Sequence, residues 1–228
     1  MPEKLNRRSF MGAAAAVAAG GLVAGAAEEA AAIKIIGIGG SLRKGKTTVQ
    51  ALQIALDAAK AVNPAIETEI IELSGMNLDP YLAIGAKTVD KPDDFPALKA
   101  RLIDPRVKAV IFASPVYMGI ISSPLKALFE RMIDFRQNGY PLMNKVGGAI
   151  AVGAGRNTGQ ELILQQLCMF MISQNMLVVG DGPPTSHWGG AMRAVKDDVS
   201  TDTDGLPTTK GLGKRVAEVA LKLAGMTR

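Results

Sequence analysis

Five short strand-like runs, four of them apolar and the second with charged residues alternating as at an edge, constrain the fold more than any other feature of this chain. Stretches with helical periodicity separate the runs. Two of the runs read IKIIGIG and VGGAIAVG, without the polar–apolar alternation of a half-exposed strand. Near-continuous apolar runs of this length predict strands that are covered on both faces. We predict five strands, at Ile33 to Gly39, Ile66 to Leu73, Val107 to Ser114, Val146 to Gly153 and Asn175 to Gly180.

Between the strands, apolar residues recur at the three- and four-residue spacing of an α-helix. Because parallel strands need a long crossover, usually a helix, this alternation predicts a parallel sheet. We therefore predict one doubly wound α/β domain over residues 33–226, with a five-stranded sheet in the order 2-1-3-4-5 between two helical layers. The helices are predicted from Val49 to Val62 and near Phe95 to Leu102, Pro124 to Phe135, Gln160 to Ser173 and Lys210 to Ala224.

Composition excludes several classes of function. The formal charge of +5 falls to +3 without the first 26 residues, where Lys4, Arg7 and Arg8 outweigh Glu3 by two charges. Aromatic residues make up only 4% of the chain, so neither charge nor stacking surface indicates nucleic-acid binding. The single cysteine, Cys168, cannot by itself form an internal disulfide, a structural zinc site or an iron–sulfur cluster. Redox chemistry in this chain would need a bound cofactor.

The first 27 residues have the pattern of an export signal. Arg7-Arg8 precede the large apolar Phe10, and an Ala- and Gly-rich stretch then ends in small residues near Ala26. A charged start, a short apolar segment and a small-residue exit are typical of a secretory signal, and the arginine pair indicates the twin-arginine route. We expect residues 1–27 to be a twin-arginine signal peptide, recognised by that export machinery and then cleaved. The mature protein would be periplasmic without a stable membrane anchor; the alternatives are a helical membrane anchor or a disordered tail.

The loop after the first strand carries the residues of an anion site. It runs from Gly39 to Thr48 and leads into a helix N-terminus, where free backbone N–H groups and the helix dipole favour a bound anion. Hydroxyl groups and a guanidinium add donors suited to phosphate oxygens, although an ordinary Gly-rich turn with a threonine cap is the alternative. The predicted phosphate-binding residues are Ser41, Arg43, Gly45, Thr47 and Thr48.

The same loop also matches a nucleotide-binding pattern. Gly40 to Thr47 fits G-x-x-x-x-G-K-[ST], the P-loop of many NTPases. Such enzymes also need a carboxylate at the end of a neighbouring strand to organise magnesium, and the apolar strands here end in Gly39, Ser114, Gly153 and Gly180. The motif supports phosphate binding, and a P-loop-type NTPase is the rival prediction.

The loop after the third strand decides between these alternatives. Ser114 to Arg131 follows the pattern S-P-x-Y-x-G-x-x-S-x-x-L-K-x-x-x-[DE]-R, and the first loop follows G-S-x-R-x-G-x-x-T. The two motifs together resemble those of the NADPH-dependent FMN reductases and their relatives, the iron–sulfur flavoproteins. The resemblance runs from Ile33 to about Gly180 and implies a flavodoxin-like fold that binds FMN. The compact cysteine motif of the iron–sulfur relatives is absent from this sequence, which implies FMN without a cluster.

The resemblance also assigns roles to residues of two loops. In the second loop, an aromatic side chain and the adjoining peptides would line the flavin ring, and a glycine would allow close approach of the backbone. In the third loop, which ends in Gly159-Gln160-Glu161, backbone N–H groups would bind the ring and tune its electronics. Arg156 there is equally well interpreted as a solvated surface residue. The residues implied are Ser114, Pro115, Val116, Tyr117, Met118 and Gly119 in the second loop, with Gly153, Gly155 and Arg156 in the third.

The activity implied by the resemblance is two-electron reduction of a small acceptor such as a quinone or a free flavin. The flavin itself carries this chemistry, so no catalytic side chain and no metal are expected. NAD(P)H is the donor implied by the family, although nicotinamide cofactors are normally kept in the cytoplasm. A non-enzymatic FMN electron carrier is the further rival. The eleven methionines are interpreted as core filler or as the face of a homodimer or higher homo-oligomer.

Overall fold

The apolar runs at residues 33–39, 107–115 and 146–153 form strands because their side chains are buried on both sides of one sheet. The computed structural model describes residues 33–86 and 90–226, so the predicted signal peptide lies outside the described residues. The strands are β1 (Ile33–Gly39), β2 (Ile66–Glu72), β3 (Val107–Pro115), β4 (Val146–Gly153), β5 (Leu177–Val178) and β6 (Gly190–Arg193). The helices are α1 (Thr47–Lys60), α2 (Phe95–Ile103), α3 (Ser123–Arg131), α4 (Ile133–Gln137), α5 (Gln160–Ser173) and α6 (Gly205–Leu223).

The sheet confirms the predicted order and orientation. Its strands are parallel and lie in the order β2-β1-β3-β4-β5. The fifth position differs from the prediction of one strand at Asn175 to Gly180. There β5 pairs with the start of β4, opposite Val146 and Gly147, and β6 pairs with the end of β4, opposite Ile150 to Gly153. The connection over residues 179–189 divides this position between two short strands.

Two helical layers cover the sheet, as predicted. On one face, α1 and α6 bury Leu52, Leu56, Val216 and other apolar residues against the strands. On the other face, α2, α3 and α5 bury a second core that contains Phe112. Each helix is held by one apolar stripe, which is what stabilises helices of this length in a protein.

Close packing of α1 and α6 depends on a glycine. A Cβ atom added at Gly213 of α6 would overlap the carbonyl oxygen of Ala55 in α1. The two helices can approach this closely only because glycine has no side chain there. This contact holds the middle of α6 against the middle of α1.

Two helix predictions need correction. The segment from Pro124 to Phe135 is two helices, because the backbone leaves helical geometry at Met132. The last helix begins at Gly205, five residues before the predicted Lys210. Within the described ranges 33–86 and 90–226, no helix is both long and apolar enough to span a membrane.

Candidate functional site

A cleft of about 600 Å³ opens where the carboxyl ends of the central strands meet. Its volume falls within the range of about 300–1,000 Å³ that is usual for small-molecule sites. Ligands of open α/β sheets bind at this edge, beside the point where strand order reverses, which here lies between β1 and β3. The lining residues come from four segments: Ser41, Arg43 and Thr47; Pro115, Val116 and Tyr117; Val152, Gly153 and Ala154; and Ala194, Lys196 and Asp197.

The first loop presents unsatisfied donors to this cleft. Lys46 occupies the N-cap of α1 in an extended conformation and makes no side-chain cap. Within the described part of the chain, the backbone N–H groups of Thr47 and Thr48 therefore have no acceptor. Such N–H groups, together with the positive end of the helix dipole, make an anion site. The arrangement fits a phosphate group.

Hydroxyl groups of this loop have different surroundings. The Ser41 Oγ accepts a hydrogen bond from the Arg43 N–H at 3.0 Å and helps to shape the turn. The side-chain oxygen of Thr48 is buried and has no hydrogen-bond partner among the described residues. Because a buried hydroxyl without a partner is costly, this oxygen marks a place where a polar ligand would be stabilising. Thr47 lines the cleft and Thr48 lies behind it.

The second loop is fastened to the first by serine side chains. The Ser122 Oγ donates a hydrogen bond to the Gly40 carbonyl, and the Ser114 Oγ accepts one from the Ser122 N–H at 3.1 Å. A Cβ atom at Gly40 would lie 2.9 Å from the Cβ atom of Leu125, so glycine is needed for this approach. Ser114 is fully buried and therefore holds the loop in place from beneath the cleft.

The tip of the second loop is a tight turn that leaves its side chains exposed. Tyr117 and Ile120 pair across the turn, and both central residues, Met118 (φ 53°) and Gly119 (φ 77°), have left-handed backbones. This pair of conformations is that of a type I′ turn. Tyr117 lines the cleft, whereas the Met118 side chain is 97% exposed. The turn gives the cleft an aromatic wall and a flat rim.

The third loop packs against the second at a glycine. A Cβ atom at Gly159 would lie 3.4 Å from the Val116 side chain and 3.8 Å from the Gly119 Cα. The Gln160 side chain then closes the loop by donating a hydrogen bond to the Gly155 carbonyl at 2.6 Å. These contacts place Gly153 at the cleft. The Gly155 carbonyl is instead used in a hydrogen bond within the loop.

The Arg156 side chain bonds to groups in the interior of the domain. Its guanidinium forms an ion pair with Asp202, a side chain that is only 1% exposed, and donates to the Ala191 carbonyl at 3.0 Å. Charged hydrogen bonds of this kind, made to a buried carboxylate, fix the position of a segment. Arg156 thus anchors the segment between β6 and α6, and its side chain does not line the cleft.

The fourth segment of the cleft was missed by the sequence analysis. Val195 and Asp198 pair as an antiparallel bridge, and Lys196 and Asp197 form the turn between them with φ values of 49° and 62°. Asp197 accepts a hydrogen bond from Arg43 at 2.6 Å. This contact raises the pKa of Arg43 and lowers the pKa of Asp197, since each charge stabilises the other. The sequence has no motif at this turn.

Half of the predicted site residues line the cleft. These are Ser41, Arg43, Thr47, Pro115, Val116, Tyr117 and Gly153. The others are Gly45, Thr48, Ser114, Met118, Gly119, Gly155 and Arg156, which lie in the same three loops but outside the lining. Gly45, for example, has a left-handed backbone and donates its N–H to the Glu72 carboxylate at 2.7 Å.

Comparison with known proteins identifies the family. Residues 33–188 match the model of a family described as NADPH-dependent FMN reductase. The chain belongs to the NADPH-dependent FMN reductase family. An iron–sulfur flavoprotein of Methanocaldococcus jannaschii is 40% identical over 194 residues, 82% of this chain and 97% of the relative. An iron–sulfur flavoprotein of Methanosarcina thermophila is 36% identical over 193 residues, 82% of this chain and 95% of the relative.

A solved structure supports the fold assignment. The flavodoxin-like, WrbA-like protein of Agrobacterium tumefaciens superimposes with a TM-score of 0.59 at 17% identity, covering 84% of this chain and 98% of that one. The flavodoxin-like fold is thereby confirmed. As a member of the NADPH-dependent FMN reductase family, the protein is a flavin-dependent oxidoreductase whose cofactor is FMN.

The family assignment favours a flavin site over a P-loop nucleotide site. The position of the Lys46 side chain supports the same conclusion. In a P-loop enzyme the motif lysine contacts the terminal phosphates, but the Lys46 ammonium lies 3.6 Å from Asp197 and outside the cleft lining. Strand β2 does end in a carboxylate, Glu72, which the sequence analysis did not consider. That carboxylate accepts the Gly45 N–H and so supports the loop itself.

The described residues offer few groups for thiol or metal chemistry. Cys168 is the single cysteine of the sequence, whereas a cluster needs several thiolate ligands. Burial raises the pKa of its thiol, which opposes formation of the reactive thiolate. Across residues 33–86 and 90–226, no group of three or more His, Cys, Asp or Glu side chains is placed to hold a metal ion.

Proposed function

We propose that FMN binds in the cleft described above, with its phosphate on the first loop and its ring between the second and third loops. The observation that carries this proposal is that one cleft joins the N–H groups at the start of α1 to the Tyr117 wall. A phosphate-type site and an aromatic wall at the carboxyl edge of a doubly wound sheet suit a flavin mononucleotide. Bound FMN would accept two electrons from a donor and pass them to an acceptor.

The side chains bind and orient the cofactor in this proposal. Arg43 and the N–H groups of Thr47 and Thr48 hold the phosphate, because charge-assisted contacts are the strongest available there. The peptides of Pro115 and Val116 and the Tyr117 ring form one wall for the flavin. No protein acid or base is needed.

The donor that we propose is NAD(P)H, and the acceptor is a small oxidised compound such as a quinone or a free flavin. The family's description as NADPH-dependent supports this donor, and the open, exposed rim at Met118 supports access of a second small molecule to the ring. Export to the periplasm, which we also propose from the first 27 residues, would require the nicotinamide to be replaced there by another two-electron donor.

The donor proposal is tested by anaerobic mixing of the FMN-loaded protein with NADH or NADPH. We expect loss of the oxidised flavin's visible absorbance with at least one nicotinamide, and its return when a quinone is added. Dithionite serves as the control, because it reduces bound flavin without a nicotinamide site. Bleaching by dithionite but by neither nicotinamide would refute the donor and leave the flavin assignment intact.

We also propose a homo-oligomer that uses the outer face of α3 to α5. A groove of about 640 Å³ lies there, lined by Tyr81, Ile84, Phe129, Ile133, Phe170 and neighbouring residues. Phe129 and Phe170 are stacked, with ring centroids 3.4 Å apart. In α5, Met169 is 70% exposed, whereas Met171 of the same helix and Met176, which follows it, are buried. Exposed apolar surface of this kind favours association, and light scattering of wild type against Met169→Glu measures it.

A further inference from the structure

The turn from Val195 to Asp198 is an unusual element for a surface connection. Both of its central residues, Lys196 and Asp197, have left-handed backbones, a conformation that glycine or asparagine adopts far more readily. Strained residues of this kind persist where surrounding contacts hold them, and they cluster at ligand-binding sites. The turn also lies beyond residues 33–188, the part of the chain that matches the family model.

Four contacts fasten the turn and the adjoining Val199 to the first loop and to α1. Asp197 pairs with Arg43 at 2.6 Å and with Lys46 at 3.6 Å. Gln50 of α1 donates to the Asp197 carbonyl at 3.2 Å and accepts from the Val199 N–H at 3.3 Å. The turn thus sits over the start of α1, at the end of the cleft where the free N–H groups lie.

Charge balance singles out Lys196. Three charged side chains line the cleft: Arg43, Lys196 and Asp197. Because Asp197 pairs with Arg43, these two charges largely cancel each other. Lys196 forms no ion pair with any described residue and supplies the uncompensated positive charge of the lining. This charge would attract a phosphate dianion placed at the start of α1.

We propose that the Val195–Asp198 turn is a fourth cofactor-binding element, in which Lys196 contacts the phosphate and makes the site selective for FMN over riboflavin. Asp197 is a positioning residue that holds Arg43 and keeps the turn over the first loop. This inference rests on the proposed placement of FMN in the cleft. It adds a further phosphate contact, and with it a further determinant of selectivity for FMN over riboflavin, from a segment outside the three loops.

The test compares binding of FMN and riboflavin to Lys196→Gln and to a matched control. Lys44→Gln removes the same charge from the first loop, at an exposed lysine that neither lines the cleft nor forms an ion pair with a described residue. Loss of one charged contact should weaken FMN binding by about tenfold in Lys196→Gln and leave riboflavin binding unchanged. Lys196→Arg should restore most of the FMN affinity. Melting of the flavin-free proteins checks that each variant folds.

The outcomes separate this inference from the proposal on which it rests. If Arg43→Ala weakens FMN binding but Lys196→Gln behaves like Lys44→Gln, FMN lies in the cleft and the role of Lys196 is refuted. If Lys196→Gln weakens FMN and riboflavin equally, the lysine contacts the ring or the ribityl chain and the phosphate assignment is wrong. If neither Arg43→Ala nor Lys196→Gln affects FMN binding, the placement of FMN itself fails.

Discussion

Arg131, at the end of the second motif, has a structural role that can be tested through stability. The Arg131 guanidinium donates two hydrogen bonds of 2.7 Å to Asp93 and lies 4.6 Å from the centre of the Phe95 ring. It also donates to the Asp79 carbonyl at 3.3 Å. Through these contacts α3 holds the long connection between β2 and α2. We expect Arg131→Met to loosen that connection without touching the cleft.

The magnitude follows from the burial of the pair. The Arg131 side chain is 9% exposed and that of Asp93 is 22% exposed. Breaking a buried pair by removing one partner costs about 3–5 kcal/mol, and the partial exposure of Asp93 places this case near the lower value. A loss of about 3 kcal/mol lowers the melting temperature of a domain this size by roughly 6–12 °C. Arg136→Met is the control, because Arg136 is exposed and in no ion pair among the described residues.

The same pair predicts a pH dependence. The hydrogen bonds from Arg131 lower the pKa of Asp93 in the folded protein. A carboxyl with a lowered pKa stabilises the fold fully above its unfolded pKa of about 3.9 and loses that contribution as pH falls further. The stability difference between wild type and Arg131→Met should therefore be constant near neutral pH and shrink below about pH 4. Urea unfolding at several pH values measures it. A variant as stable as Arg136→Met, or a difference independent of pH, would refute the reasoning.

Three further predictions concern the motif lysine, the helix contact and the N-terminus. Lys46→Ala should change FMN affinity little, because the side chain lies outside the cleft lining; loss of binding in a flavin titration would show instead that Lys46 contacts the cofactor. Gly213→Ala should destabilise the domain by roughly 1–3 kcal/mol through overpacking against Ala55, and a wild-type denaturation midpoint would contradict the close α1–α6 contact. Lys-Lys in place of Arg7-Arg8 should retain the precursor in the cytoplasm, and efficient export in a fractionation experiment would refute the twin-arginine assignment.

The sheet was predictable because its central strands are buried on both faces. The predicted bounds of β1 and β4 agree with the structure at both ends, since apolar runs between helical segments leave few alternatives. The predicted extent of the fifth strand was wrong. The predicted apolar run continues to Gly180, but the strand ends at Val178. After the connection over residues 179–189, Gly190–Arg193 occupies the rest of the fifth position in the sheet, and no local pattern reveals such a division.

Side-chain directions at the site were less predictable than the loops themselves. The three predicted loops do meet at one cleft, because parallel strands bring their carboxyl ends to one edge. Within them, Arg156 pairs with Asp202, which is 46 residues distant, and Arg43 pairs with Asp197, which is 154 residues distant. Contacts at that separation depend on the fold and leave no trace in a local motif. The turn requires a left-handed backbone at Gly119, so a larger residue there would strain it.

The central claim is that the cleft holds FMN with its phosphate on the first loop. It is tested most directly by titrating FMN into wild type and into an Arg43→Ala, Thr47→Val double variant, and by following the visible absorbance and fluorescence of the flavin. We predict one FMN per wild-type chain, and FMN affinity at least tenfold weaker in the variant, because charge-assisted phosphate contacts are lost. The melting temperature of the flavin-free variant should match that of wild type. Wild-type FMN affinity in a folded double variant, or a wild-type protein that binds no flavin, would contradict the account.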